Sequence, residues 1–234
     1  MKRPDDLAPR PVGFFDSGVG GLGILEEFCK LCPDEEKVYI ADSENCPYGN
    51  KTAEEIIKLS DACVRKLLRQ RCKMIVIACN TATSAAIDYL RRKYPSVPFV
   101  GIEPAVKPAA AHSRSGVVGV LATKGTLSGK LYEMTKNRYA GNVTVVASVA
   151  DEFVAAVERG ETSGPEVERM VKMRLEPLLN AGADQIVLGC THFPFLKDVI
   201  EKICGSRAEV VDPAEAVARQ AVRVLRKLEA EGIK

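Results

Sequence analysis

The 234-residue sequence lacks tryptophan, has only two histidines, and carries a net charge of only +2. Acidic and basic residues are interspersed, so no charged surface for nucleic acid or membrane is indicated. No segment approaches the roughly 20 consecutive apolar residues that span a bilayer. The N-terminus, Met1-Lys-Arg-Pro-Asp-Asp, also lacks the apolar stretch of a signal peptide. These absences predict a cytoplasmic enzyme with no nucleic-acid or membrane partner.

The eight cysteines are expected to stay reduced in such a chain. Cys29 and Cys32 form a C-x-x-C motif, but it falls at the end of the helical pattern Leu22–Leu31. A redox motif of this type would instead follow a strand. A closed zinc site needs four ligands, and the sequence has no second C-x-x-C motif and only His112 and His192 as histidines. We therefore predict structural cysteines in this motif and no metal site.

Short apolar, β-branched runs alternate with helical patterns along the whole chain, which indicates βαβ units and the α/β class with parallel sheets. The predicted strands are Val12–Phe15, Val38–Ala41, Met74–Ala78, Phe99–Ile102, Val117–Leu121, Val143–Val146, Gln185–Leu188 and Val210–Val211. The clearest predicted helices are Leu22–Leu31, Thr52–Arg69, Ser84–Tyr94, Glu166–Asn180 and Ala214–Glu231. Pro104 and Pro108 are expected to interrupt the alternation after the fourth strand.

Two segments about 110 residues apart, Met74-Ile-Val-Ile-Ala-Cys-Asn-Thr and Gln185-Ile-Val-Leu-Gly-Cys-Thr-His, are near duplicates. This weak repeat predicts two doubly wound parallel-sheet lobes with the active site in the cleft between them. The first lobe would comprise residues 1–103 and 212–234 and carry Cys79. The second would comprise residues 104–211 and carry Cys190. A single eight-stranded sheet is the alternative.

A glycine-rich segment, Phe15-Asp-Ser-Gly-Val-Gly-Gly-Leu-Gly23, follows the first predicted strand and satisfies G-x-G-x-x-G. Asp42 ends the second strand, near where a ribose-binding acid is expected, so a nicotinamide-dependent oxidoreductase is one interpretation. The carboxylate of Asp16, beside Ser17 at the strand tip, would oppose a pyrophosphate. The amides of this loop suit a smaller anion better, such as a carboxylate.

A second segment, Cys46-Pro-Tyr-Gly49, follows the second strand. Its backbone amides and the phenol of Tyr48 could cover a ligand, although a surface turn would have the same sequence. Cys46 in this segment indicates nothing by itself.

Each cysteine of the duplicated segments is expected where a strand ends and a helix begins, the edge at which α/β sheets bind ligands. A helix N-terminus stabilises a thiolate, so we predict that the pKa of Cys79 and of Cys190 lies below about 8.5. His192 lies two residues beyond the second thiol. Thiol–disulfide exchange, acyl transfer through a Cys–His nucleophile and proton transfer at carbon are the candidate reactions. The similar settings of the two cysteines favour proton transfer between two opposed thiols.

The ordered set of motifs resembles the glutamate racemases of the cofactor-independent aspartate/glutamate racemase superfamily. The matching segments are Phe15-Asp-Ser-Gly-Val-Gly-Gly-Leu, Cys46-Pro-Tyr-Gly, Cys79-Asn-Thr-Ala-Thr, Gly101-Ile-Glu-Pro, Val118-Gly-Val-Leu-Ala-Thr and Gly189-Cys-Thr-His-Phe-Pro. The resemblance implies interconversion of L- and D-glutamate without a cofactor, a supply of D-glutamate for peptidoglycan, and a homodimer. Racemisation of another small acid, such as aspartate, is the alternative within the class.

The resemblance also implies a role for individual residues. Cys79 would take the proton from D-glutamate and Cys190 from L-glutamate. Asp16 would support the first thiol and His192 the second, with Glu158 in a similar auxiliary role. The implied substrate contacts are Asp16, Ser17, Tyr48, Gly49, Asn80, Thr81, Thr191 and His192.

Overall fold

The computed structural model describes residues 10–139 and 143–233 of the chain. Two four-stranded sheets are formed within these residues, in the orders β2-β1-β3-β4 and β6-β5-β7-β8, and every strand pair is parallel. The strands are β1 (Val12–Asp16), β2 (Lys37–Ala41), β3 (Met74–Ile77), β4 (Phe99–Gly101), β5 (Val117–Ala122), β6 (Thr144–Val149), β7 (Gln185–Gly189) and β8 (Glu209–Val211). The predicted α/β fold with two lobes is confirmed, and the alternative of one eight-stranded sheet is wrong.

Helices cover both faces of each sheet, as expected for parallel strands that are apolar on both sides. The helices are α1 (Leu22–Leu31), α2 (Ala53–Arg69), α3 (Asn80–Lys93), α4 (Val106–His112), α5 (Lys124–Leu127), α6 (Lys130–Tyr139), α7 (Asp151–Glu158), α8 (Pro165–Asn180), α9 (Lys197–Cys204) and α10 (Ala214–Ala230). Helices α1 and α10 pack on one face of the first sheet, and α2 and α3 on the other. Helices α7, α8 and α9 lie on one face of the second sheet, opposite α4 and α6.

Helix α10 packs against α1 although its sequence follows the second sheet. The chain therefore returns to the first sheet after β8. The predicted lobe boundaries, 1–103 with 212–234 and 104–211, stay a prediction.

Two helices differ from the sequence prediction for identifiable reasons. Helix α3 begins at Asn80 rather than Ser84, because Cys79 acts as its N-cap and its Sγ accepts a hydrogen bond from the amide of Ala82. Helix α4 was not predicted, since Pro108 was expected to break the chain there. Pro108 is the third residue of α4, where the backbone N–H would have no partner within the helix.

All eight cysteines are free thiols, as predicted. Cys29 lies in α1 and Cys32 is its C-cap, so the C-x-x-C motif spans the end of a helix. In the part of the chain that the structure describes, no helix combines the length and the apolar character needed to cross a membrane.

Candidate active site

The carboxyl ends of the central strands of the two sheets face each other. Strand β1 ends at Asp16, and its parallel register with β3 pairs Phe15 with Ile77, which brings Asp16 beside the chain leading to Cys79. In the second sheet β7 ends one residue before Cys190. The structure thus brings the two predicted thiols to the sheet edges at which parallel sheets bind ligands.

Cys79 is 5% exposed, and its Sγ has two neighbours on the first lobe. The amide of Ala82 donates to the sulfur at 3.4 Å, and the hydroxyl of Ser17 lies 3.4 Å from it. Two hydrogen-bonding groups therefore hold this thiol at the N-terminus of α3.

Cys190 is 8% exposed, and its Sγ lies 3.8 Å from Nδ1 of His192. The other ring nitrogen, Nε2, is 2.6 Å from Oε1 of Glu158, which also accepts the amide of Val19 at 2.9 Å. A carboxylate accepts hydrogen bonds, so the tautomer of His192 that satisfies this pair carries its hydrogen on Nε2. In the neutral imidazole, Nδ1 then presents a lone pair towards the thiol of Cys190.

Asp16 is completely buried, and it links the two lobes. Its Oδ2 accepts the amide of Gly21 at 2.7 Å and, from the second lobe, the hydroxyl of Thr191 at 3.2 Å. Burial raises the pKa of Asp16, while a positive charge on His192 and these hydrogen bonds oppose that rise.

The pKa of each thiol departs from the sequence prediction. Burial, and then the negative charge of Asp16, raises the pKa of Cys79 to about 12, despite its hydrogen bonds from Ser17 and Ala82. Burial also raises the pKa of Cys190 well above its ordinary value, with a smaller contribution from the charge of Cys79. The prediction that helix N-termini lower these pKa values is wrong for the closed structure, because desolvation outweighs the helix dipole.

The glycine-rich loop contacts the second lobe at two places. A Cβ atom on Gly18 would lie 2.0 Å from Oε1 of Glu158, and one on Gly20 would lie 2.5 Å from Oγ1 of Thr191. Two amides of the loop, those of Gly21 and Val19, donate to the carboxylates of Asp16 and Glu158 respectively. These contacts occupy the loop with the protein's own side chains, and they give no support to the dinucleotide interpretation of this motif.

The Pro-Tyr-Gly segment also approaches the second lobe. Tyr48 is buried, and its hydroxyl donates to Oδ2 of Asp42 at 2.6 Å. A Cβ atom on Gly49 would lie 2.8 Å from Oδ1 of Asp151 and 3.2 Å from Cβ of Thr123. This position therefore requires a glycine for lobe contact.

Polar side chains lie beyond Cys79. Asn80 and Thr81 were predicted as site residues, whereas Thr123 and Thr126 were not. Asn80 is 3% exposed, and neither its Oδ1 nor its Nδ2 has a hydrogen-bond partner within the described residues. The hydroxyl of Thr81 lies 3.0 Å from that of Thr123 and 3.3 Å from that of Thr126, both on the second lobe. Buried polar groups without partners are costly, so Asn80 is well suited to bind a polar ligand.

Thr123 and Thr126 were not predicted as site residues. Thr123 directly follows β5, and β5 pairs with β7 so that Ala122 lies opposite Gly189. This pairing places Thr123 next to Cys190. The same rule that located the thiols, a polar residue just beyond a central parallel strand, would have found it.

Comparison with known proteins places this geometry among racemases. Residues 23–221 match the family model described as Asp/Glu/Hydantoin racemase. A glutamate racemase of Herpetosiphon aurantiacus is 47% identical over 219 residues, covering 94% of this chain and 86% of that protein.

Solved structures give the same result. A glutamate racemase isoform of Bacillus anthracis has a TM-score of 0.85 at 32% identity, covering 96% of this chain and 83% of that one. A glutamate racemase of Francisella tularensis in complex with D-glutamate has a TM-score of 0.84 at 30% identity, covering 94% and 82%.

The closed lobes leave little space at the second thiol. A void that touches Cys190 and Thr191 has a volume of about 10 Å³, at the lower limit of the roughly 10–15 Å³ that one water requires. Both thiols are buried in this arrangement, so we expect a ligand to reach them when the lobes separate. Contacts such as that of Gly20 with Thr191 set how tightly the lobes close.

Gly20→Ala is expected to hold the lobes apart, because the new methyl group would meet the backbone amide of His192 at 2.8 Å as well as Thr191. We expect severalfold faster alkylation of Cys190 by iodoacetamide, measured peptide by peptide with mass spectrometry. Gly23→Ala is the matched control, since a Cβ atom there meets nothing within 4 Å. Equal Cys190 alkylation in the two variants would contradict the closure assigned to Gly20.

Proposed function

The chain belongs to the Asp/Glu/Hydantoin racemase family, and we propose that it interconverts L- and D-glutamate by proton transfer at Cα between the opposed thiols of Cys79 and Cys190. It is a racemase, an isomerase. The observation that carries the mechanism is the placement of one thiol at the tip of each sheet, each with its own set of polar supporting groups.

Racemisation needs a base on one face of Cα and an acid on the other. In one direction the thiolate of Cys79 removes the α-proton while the thiol of Cys190 delivers its proton to the opposite face. The Cα–H bond to the first face breaks, a new Cα–H bond forms on the second, and the two sulfurs exchange protonation states. The reverse reaction uses the same groups in exchanged roles.

Because the pKa values of Cys79 and Cys190 are raised, the bound substrate is expected to assist thiolate formation. In the closed protein without substrate, both thiols are neutral at pH 7. The α-ammonium group of a bound amino acid brings a positive charge next to sulfur, which favours the thiolate. Thiolate formation is thereby linked to binding of an amino acid.

The two thiols would be supported by different neighbours. For Cys190 the acceptor is Nδ1 of His192, whose other nitrogen donates to Glu158. For Cys79 we assign the supporting role to Asp16, whose charge already influences this thiol. Glu158 hydrogen-bonds to His192 and to the amide of Val19 rather than to either catalytic thiol, so it acts as a positioning residue for His192.

Substrate binding is assigned to polar groups from both lobes. We propose Asp16, Ser17, Asn80, Thr81, Thr191, His192 and the segment Tyr48–Gly49 as the binding residues. The unpartnered amide of Asn80 and the hydroxyl cluster of Thr81 support this assignment. Thr123 and Thr126 extend the cluster from the second lobe.

The relatives of this chain support glutamate rather than aspartate as the substrate. Glutamate racemases match 92–95% of this chain at identities between 41% and 47%. We further propose that the protein acts in the cytoplasm, as a homodimer, and supplies D-glutamate for peptidoglycan. Turnover of aspartate instead of glutamate would assign the second candidate function.

The two-thiol mechanism makes a prediction about single serine variants. Cys79→Ser and Cys190→Ser should each abolish measurable racemisation of glutamate, a loss of at least about 10²- to 10⁴-fold, the usual contribution of general acid–base catalysis. Each variant is still expected to eliminate HCl from one enantiomer of a β-chloro analogue, since elimination needs one base only. Cys29→Ser is the matched control and should racemise glutamate normally. Near-normal racemisation by either catalytic variant would show that the mechanism is wrong.

The positioning role of Glu158 is tested by Glu158→Gln, which keeps the shape and removes the charge. Loss of a hydrogen bond to a charged group costs about 1.5–3 kcal/mol, so kcat should fall roughly 10- to 100-fold. KM should change less, because Glu158 contacts His192 and the loop amide rather than substrate. Glu161→Gln, at an exposed position three residues on, is the control. An unchanged kcat in Glu158→Gln would remove Glu158 from the mechanism.

A further inference from the structure

Three metal-ligating side chains from distant parts of the sequence meet beside the second thiol. The sulfur of Cys46, a carboxylate oxygen of Glu158 and a ring nitrogen of His192 all lie within 4.8 Å of one another. Of the residues that the structure describes, these form the only group of three or more such ligands. The proposed reaction uses His192 and Glu158 but gives no role to Cys46.

We propose that Cys46, Glu158 and His192 bind a thiophilic divalent cation of the Zn²⁺ type, and that the bound cation inhibits the racemase. The inhibition rests on the function proposed above, whereas the binding does not. Thiolate, imidazole and carboxylate are each zinc ligands, and three protein ligands with a water in the fourth position form the usual open zinc site.

The distances require only small movements for metal binding. Zinc bonds of about 2.0–2.3 Å place tetrahedral ligand atoms roughly 3.3–3.8 Å from one another. The His192–Glu158 pair, now 2.6 Å apart, would open by less than about 1 Å. Cys46 would close from at most 4.8 Å by a similar amount. Rotation of the side chains supplies displacements of this size.

Two of the three ligands remain accessible from solvent. Cys46 is half-buried and the side chain of Glu158 is 22% exposed, whereas His192 is buried. A cation can therefore bind first to Cys46 and Glu158 and then to the buried imidazole. The surroundings are acidic, because the charges of Glu158 and Asp16 both act on Cys46, and this favours a cation over an anion.

Metal binding would reverse the roles of the two imidazole nitrogens. The cation replaces the hydrogen on Nε2 of His192, and the neutral ring then carries its hydrogen on Nδ1, facing Cys190. The thiol of Cys46 releases its proton to solvent as it ligates. Nδ1 can then no longer accept the proton of Cys190, and Glu158 is withdrawn from the histidine. Both changes disable the second thiol.

The inhibition should be equal for both enantiomers in kcat/KM. L- and D-glutamate have the same free energy in water, so kcat/KM for the two directions must stay equal in every state of the enzyme. A cation that disables only Cys190 therefore lowers both directions together.

The test compares the wild-type protein with Cys46→Ala and the control Cys29→Ala. Co²⁺ is the binding probe, because a thiolate ligand gives an absorption band of its own. Zn²⁺, held at set free concentrations and removed by a chelator, is the inhibitor. We expect the thiolate band and chelator-reversible inhibition in the wild type and in Cys29→Ala. Cys46→Ala should racemise glutamate normally, lack the band, and require roughly 100-fold or more Zn²⁺, since even changes outside the ligand set cost about 10- to 100-fold in affinity.

Several results would overturn the inference. Equal sensitivity of Cys46→Ala and wild type to Zn²⁺ would place the inhibitory metal elsewhere, for example on the catalytic thiols. Absence of a thiolate band in the wild type would remove the site, even if glutamate is racemised. If Cys46→Ala proves unfolded, Cys46→Ser keeps the size of the side chain while weakening the ligand, and the same comparison applies. A Cys46-dependent band in a protein that fails to racemise glutamate would support the site and contradict only the proposed function.

Discussion

The buried carboxylate of Asp16 is the constraint on which the closed arrangement of the two lobes depends. Removing a carboxylate from water costs several kcal/mol, and hydrogen bonds must offset much of that cost. One hydrogen bond comes from Gly21 on the same lobe, and another comes from Thr191 on the other lobe. Because the second is lost when the lobes part, closure and the environment of Asp16 change together. The glycine-rich loop follows from this constraint, since only glycines at positions 18 and 20 let the second lobe approach the carboxylate.

The same burial sets the protonation state of the site. The closed lobes exclude water from both thiols, and the charge of Asp16 adds to the cost of a thiolate at Cys79. With both pKa values raised, the empty site favours two neutral thiols. The α-ammonium group of a bound amino acid would bring a positive charge next to the thiols. That charge would lower the free energy of the thiolate, so thiolate formation is expected with substrate bound. The two thiols have different neighbours, but equal free energies of the enantiomers require equal kcat/KM in both directions. The difference between the surroundings of the two thiols can then change kcat and KM for each enantiomer, but not their ratio.

Much of this arrangement could be predicted from the sequence because it depends on short-range patterns. The β-branched runs before Cys79 and Cys190 fixed the strands, and the parallel-sheet rule then located the thiols at the strand tips. Contacts between the lobes could not be predicted, since they join residues far apart in the chain. Glu158 is 139 residues from Val19, whose amide it accepts, and no spacing rule connects Cys46 with His192. The pKa direction was mispredicted for a related reason: a helix N-terminus is visible in the sequence, whereas the extent of burial under a second lobe is not.

The proposed mechanism is a cofactor-independent exchange of the α-proton of glutamate between two thiols. Circular dichroism of purified protein incubated with D-glutamate, and separately with L-glutamate, in heavy water without added cofactor tests it most directly. The account predicts that both signals decay to zero and that deuterium enters Cα. An unchanged signal from both enantiomers, with no deuterium at Cα, would contradict the account and show that this fold has been kept for another ligand.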